Sequence, residues 1–191
     1  MTVRQLFLLA LVGLVLVGCR REAPADAPDP DPAAAEDARA RADAEAAEAE
    51  RLRRAEEARA REAEAARIRD ILSERIHFEY DSEQLSSEAQ ERLQQKAAIM
   101  RANPNVRIRI EGHTDERGTT EYNLALGQRR AESARAFLSR YGISPNRIST
   151  LSYGKERPMA DGSNERAWAM NRRAEFRIIE GELTTVPPEL R

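Results

Sequence analysis

The chain has 191 residues, 34% of them charged and only 5% aromatic, a length for one ordinary domain with a tail and a composition too polar for a core spread over all of it. The formal net charge of −2 divides into −4 over residues 1–74 and +2 over residues 75–191, and neither part carries the strong basic excess of a nucleic-acid binder. The single cysteine, Cys19, excludes an intramolecular disulfide, and His77 and His113 stand too far apart for zinc-ligand spacing, so neither a metal nor another cofactor is expected.

Behind Arg4, residues 6–17 form an apolar run that ends at Leu16, Val17, Gly18 and Cys19. A run of about 12 residues is too short to span a bilayer and suits a secretory signal. Gly18 is the small residue a peptidase needs beside the scissile bond. The segment resembles the bacterial lipoprotein signal, which implies cleavage after residue 18 and acylation of Cys19. Each buried methylene contributes about 0.8 kcal/mol, so several chains on one residue make release slow. Arg20 stands where enteric lipoproteins kept at the inner membrane have Asp. That resemblance implies a chain lipid-anchored in the outer membrane, its domain facing the periplasm.

Residues 19–32 are rich in Ala, Asp and Pro (Pro24, Pro28, Pro30, Pro32), which predicts an extended linker. Residues 33–74 switch to Ala, Glu and Arg without Gly or Pro, all strong helix formers apart from the few Asp and Ser. Asp37/Arg41, Glu50/Arg54 and Glu57/Arg61 stand at i, i+4 with the acid first, the favourable order. Large apolar residues are almost absent before Ile68, Ile71 and Leu72, so no heptad seam drives a coiled coil. A solvated single helix is expected, or a disordered chain; either is a tether. Fully helical, it would extend roughly 60 Å.

From residue 75 the pattern becomes that of a domain. Residues 75–80 alternate as a strand. Ser87 to Gln90 fits a capping box opening a helix, with Leu93, Ala97 and Met100 as its buried stripe. Residues 103–105 stop it. Residues 106–111 alternate strictly, with Val106, Ile108 and Ile110 on one face and Arg107, Arg109 and Glu111 on the other. A loop covers residues 112–118. Thr119 opens a second helix whose apolar side is Leu124, Ala131, Ala134, Leu138 and Tyr141, ended by Gly142. Residues 148–153 form a third strand, Trp168 lies in a short helix, and residues 173–178 form a fourth strand. The order β-α-β-α-β-(short α)-β predicts an α/β sandwich over residues 75–180, with helices on a small mixed sheet. Residues 181–191 form a tail of no assigned role.

The motifs FEYDS (78–82), EGHTDERG (111–118), YN (122–123), RRA (129–131), SYGKERP (152–158) and NRR (171–173) occur in this order. In combination they resemble the OmpA-like peptidoglycan-binding domain, and more its lipid-anchored members than its porin-attached or motor-stator ones. The resemblance implies a ligand: the peptide stem of peptidoglycan, chiefly its diaminopimelate, whose far end is a zwitterion. In the family pattern Asp115 takes the ammonium, and Arg130 takes the carboxylate through two parallel donors. The helix opening near Thr119 adds amide donors, while Gly112 and Gly118 let the loop bend and the ligand approach. Asp81, Arg117, Asn123 and Leu126 match further lining positions. Glu79 replaces the usual Asp and should point away from the ligand. His113 is expected to be a buried hydrogen-bonding residue that shapes the loop. A structural ion pair between Asp115 and Arg130 is the alternative for those two residues. For Asn171, Arg172 and Arg173, a solvated basic edge and a wall contact remain open.

The resemblance implies a non-catalytic tether between outer membrane and wall within the Tol envelope system, with a TolB-type periplasmic propeller and other Tol proteins as partners. A second reading is an OmpA-like lipoprotein that anchors a different envelope machine. A third, a wall-cleaving enzyme, lacks a candidate nucleophile, because the one cysteine carries lipid. An Arg beside Asp115 would also keep that acid ionised rather than proton-donating.

Overall fold

The computed structural model describes residues 31–190; the expected signal segment and Cys19 lie outside them. The chain divides into two compact units at residues 50 and 51. The described part of the first, residues 31–50, is helical and exposed throughout. It belongs to helix α1, Pro32–Ser73, as the Ala/Glu/Arg composition predicts. Asp31 caps the helix, its carboxylate accepting from the Ala33 amide at 3.0 Å. The Glu57–Arg61 pair is solvent-exposed at 3.7 Å and contributes little. Among the described residues no helix is long and apolar enough to cross a membrane.

The second unit, residues 51–191, holds the core. It contains β1 (Ile76–His77), α2 (Ser87–Ala102), β2 (Arg107–His113), α3 (Thr120–Arg140), β3 (Ile148–Gly154), α4 (Glu165–Asn171) and β4 (Arg173–Glu180). The sheet order is β1-β4-β2-β3. β4 is antiparallel to both neighbours, and β2 runs parallel to β3. The expected α/β sandwich with a small mixed sheet is thus the architecture. Ile108, Ile110 and Phe176 meet Leu93, Ala97, Ala131, Ala134 and Leu138 in one core. Arg109 and Glu111 lie on the opposite face, paired in register with Arg177 and Glu175.

Several local expectations shift. The first strand is two residues long, because the chain turns out of the sheet at Tyr80 and Asp81. The helix cap is Ser86, not Ser87; its hydroxyl accepts from the Ala89 amide at 3.1 Å, and the capping box does not form. On α3 the buried side is Leu126, Gly127, Ala131, Ala134, Phe137 and Leu138, whereas Leu124 and Tyr141 are exposed. The expected domain boundary at residue 75 falls inside the packed unit. Of the last apolar residues of α1, Ile68 and Leu72 are fully buried in its core with Leu183 and Val186 of the tail, and Ile71 packs half-buried against it.

Two devices hold those end segments. Lys96 of α2 is fully buried, and its ammonium donates to the carbonyls of Ile71 at 2.6 Å, Leu72 at 3.0 Å and Glu74 at 2.7 Å. The last turn of α1 has no basic residue of its own, so a cation from another helix caps its carbonyls. The Asn103 carboxamide oxygen accepts from the Thr184 and Thr185 amides at 2.9 Å, fixing the tail against the end of α2.

Candidate functional site

Three segments converge at one end of the sheet: the turn at residues 79–82, the loop after β2, and the first half of α3. They enclose a pocket of about 260 Å³ lined by Tyr80, Asp81, Thr114, Asp115, Arg117, Gly118, Tyr122, Asn123, Leu126 and Arg130. All six residues expected as site residues, Asp81, Asp115, Arg117, Asn123, Leu126 and Arg130, therefore border one cavity.

Close packing brings the segments together. Gly112 lies against Gly127 of α3, and a Cβ at residue 112 would stand 1.8 Å from the Gly127 carbonyl oxygen. The missing side chain at Gly112 thus serves helix packing rather than ligand approach, a correction to the sequence reading. Gly118 does supply the expected bend, with φ +89°. Asp81 also has positive φ, +49°, and is the one non-glycine residue in that region among the described residues. Such a turn costs about 1–2 kcal/mol and must be held by its surroundings.

Arg130 does the holding. It is fully buried, and its guanidinium donates to the carbonyls of Ser82 at 2.8 Å, His113 at 2.9 Å and Glu79 at 3.0 Å. It ties the strained turn to the end of β2. The expected free fork is therefore largely spent on main chain, and two of its five N–H donors remain. Burial pushes its pKa down to about 10, partly offset by the charge of Asp115, so it stays cationic at neutral pH.

Asp115 is paired with Arg117 and Arg172, not with Arg130. The Arg117 side chain donates to both its oxygens, at 3.2 and 2.6 Å, and the Arg117 amide adds a third bond at 3.1 Å. The buried Arg172 guanidinium stands 3.6 Å from the same carboxylate. Burial alone would raise the Asp115 pKa, but the bonds and charge of Arg117, with Arg172, outweigh it and hold the carboxyl below its ordinary 3.8. Arg117 is itself stacked between the rings of Tyr80 and Trp168, 4.1 Å from each centroid. The Trp168 indole donates to Glu116 at 3.0 Å. Across the mouth, the Tyr122 hydroxyl donates to Asp81.

Asn123 has a shaping role. Its amide donates to the Arg117 carbonyl at 2.8 Å and the Thr119 carbonyl at 2.9 Å, closing the loop onto α3. The expected amide donors of α3 are partly used by its own cap: Thr119 accepts from the Tyr122 amide through its hydroxyl and from the Asn123 amide through its carbonyl. Glu79 lies on the far side of the turn, in an adjoining groove of about 780 Å³ with Phe78, Leu85 and Met170. Asn171, Arg172 and Arg173 form neither a solvated edge nor an open contact surface, since all three are buried. His113 is buried as expected, but neither ring nitrogen has a hydrogen-bond partner among the described residues; it packs against Tyr153 instead. Burial and the charge of Arg173 push its pKa down to about 4.

The sequence reading missed Tyr80, Tyr122, Trp168 and Arg172 as parts of this assembly. Tyr80 and Tyr122 did stand inside the motifs quoted above. Arg172 likewise stands in the NRR motif, but nothing local joins it or Trp168 to Asp115 and Arg117, since both arrive at the end of β2 through α4 from more than 50 residues away.

The OmpA family model matches residues 77–172. The peptidoglycan-associated lipoprotein of Pseudomonas putida is 50% identical over 102 residues, covering 53% of this chain and 61% of that protein. The protein of the same name from Brucella melitensis is 48% identical over 103 residues, covering 54% and 61%. The chain thus matches about three-fifths of the length of these curated relatives. Among solved structures, the peptidoglycan-associated lipoprotein from Burkholderia pseudomallei is similar at 45% identity and a TM-score of 0.54, over 55% of this chain and 88% of that one. The C-terminal domain of Helicobacter pylori MotB is similar at 25% identity and a TM-score of 0.51, over 55% and 83%.

Proposed function

The chain belongs to the OmpA family, and from that premise we propose that it binds peptidoglycan without cleaving it, gripping the diaminopimelate end of a peptide stem in the pocket beside α3. The observation that carries this reading is the pocket itself, a small cavity whose lining includes two acids, Asp81 and Asp115, and two cations, Arg117 and Arg130. A zwitterion needs opposite charges held at a fixed separation. Asp81 and Asp115 attract the ammonium. Arg117 turns from Asp115 toward the ligand carboxylate, while Arg130 adds charge and its remaining donors from beneath. The low pKa of Asp115 keeps it ionised, which suits an ion-pairing group and not a general acid.

We further propose that acyl chains on Cys19 hold the chain in the outer membrane, so that α1 and the linker before it tether that membrane to the wall. The motif order, and relatives named peptidoglycan-associated lipoprotein, support a place in the Tol–Pal system with a TolB-type propeller. Co-purification with Tol proteins separates this from service to another envelope machine.

The direct test is a pull-down of soluble chain, residues 20–191, with purified sacculi. Wild type is expected in the pellet and is released by free diaminopimelate. Asp115→Ala is expected to lose on the order of 2–5 kcal/mol of binding. Wild-type chain that stays in the supernatant refutes the reading, and fragments released from the sacculi refute its non-catalytic part.

A further inference from the structure

The face of the sheet turned away from α2 and α3 carries a second cluster of donors. Glu111 of β2 pairs in register with Glu175 of β4, and His113 follows two residues along the same strand. One donor atom from each of Glu111, His113 and Glu175 lies within 4.8 Å of the other two. Glu111 and His113 are buried, 3% and 2% exposed.

His113 is the observation that points to a ligand. Both its ring nitrogens are buried without a hydrogen-bond partner among the described residues, a costly arrangement for a polar group. The carboxylates beside it are held by arginines. Arg177 donates to Glu111 at 2.9 Å and lies 3.3 Å from Glu175 Oε2; Arg173 and Arg75 hold Glu175 Oε1 at 2.8 and 3.3 Å. These cations are not equivalent. Arg173 is buried, whereas the Arg177 side chain is 61% exposed, so Arg177 is the cation that can leave for water, provided another cation takes its place on the buried Glu111. Its departure frees Glu111 and Glu175 Oε2 beside an imidazole that is already without a partner among the described residues, with Arg173 still orienting Glu175 from behind.

We propose that Glu111, His113 and Glu175 bind one divalent transition-metal cation of the zinc class, which exchanges with the Arg177 guanidinium. One imidazole nitrogen and two carboxylate oxygens are the donor set such ions take, leaving a fourth position for water. Tetrahedral ligands stand roughly 3.5 Å apart, so the cluster closes by about 1 Å once Arg177 has left. The retained charges of Arg173 and Arg75 oppose the cation and make the site a modest one. Bound metal would cross-link β2 to β4 and fix His113, whose carbonyl receives Arg130 in the pocket on the other side.

The test is a titration of the purified full chain with Co²⁺ alone, read by its visible absorption, with Zn²⁺ as competitor. Wild type is expected to take up one Co²⁺ per chain, and Zn²⁺ to displace it. His113→Gln is expected to lose the signal, and His77→Gln to keep it. Arg177→Ala is expected to bind at least about fivefold more tightly, because an exposed ion pair is already worth about that factor and the carboxylate released here, Glu111, is buried. A group that merely stabilised the strands would give no such gain. Should His113→Gln fail to fold, the exposed Arg177→Ala decides alone. No saturable Co²⁺ uptake by wild type, equal uptake by His113→Gln, or no tightening in Arg177→Ala overturns the proposal.

Discussion

Arg130 joins three carbonyls from two separate segments, so its replacement does more than remove a charge from the pocket. Arg130→Ala leaves those buried acceptors unpaired, and the expected loss of stability is about 3–5 kcal/mol in urea unfolding. Arg130→Lys keeps the charge but cannot span the three acceptors with one nitrogen, and the expected loss is about 1–3 kcal/mol. Wild-type stability for Arg130→Lys would mean that the carbonyl clamp is not what holds the turn at residues 79–82. Asp115→Asn is also expected to lower the unfolding midpoint: the Arg117 amide and Nε can still donate to the carboxamide oxygen, but the Arg117 and Arg172 guanidinium groups at the second oxygen would meet an amide donor in place of a carboxylate. Arg130 and Asp115 were legible as site residues from the motifs that contain them. Arg117, two residues from Asp115, stands in the same motif, but the remaining partners were not legible, because the carbonyls of residues 79, 82 and 113 and the guanidinium of Arg172 are distant in sequence.

Helix α1 was legible from composition, its end included to within a residue, but the burial of its last turns was not. Lys96 reads as one polar residue among several on α2, and only the packed unit turns it into the cap of another helix. Burial pushes its ammonium down to about 7, with Glu74 opposing that shift. Its folded-state pKa thus lies below the ordinary 10.5, and the unfolded chain binds more protons between those values. The residue's contribution therefore grows as pH rises from about 7 toward 10.5 and is smallest below 7. Compared with Lys96→Met at each pH, wild type is expected to gain relative stability between neutral and alkaline conditions. A difference that is flat with pH would show the lysine to be charged throughout.

The same packing divides α1 into two functional lengths. Deleting residues 33–57 is expected to leave the melting temperature of the second unit unchanged, because nothing removed belongs to its core. Ile68→Asp is expected to lower it sharply. Burying the Ile68 side chain is worth about 1.5–3 kcal/mol, and an unpaired buried carboxylate adds its own penalty. A lowered melting temperature in the deletion would place part of the outer helix in the folding unit.

At the scale of the whole molecule, the expected order is lipid, linker, helix and binding unit. Its first element is tested by mass spectrometry: the mature chain should begin with an acylated Cys19, and Cys19→Ser should remain an unlipidated precursor. An intact Met1 on mature chain would sink the anchor. Composition determined the helix, since Ala, Glu and Arg favour one without any partner. Alternation determined β2 and β4, because a half-buried strand must change polarity at every residue. The family resemblance carried by the ordered motifs implied which six side chains would border the pocket. Only the tertiary structure decided what each does there: Arg117 stacked between Tyr80 and Trp168, Arg130 spent on carbonyls, Arg172 behind Asp115. It also set Glu175 opposite Glu111 beside His113, a cluster that the spacing of the two histidines had argued against. The physical reason is the same in each case. Helix and strand preferences arise among neighbours in the chain, whereas hydrogen bonds, ion pairs and burial join residues that only the folded backbone brings within reach.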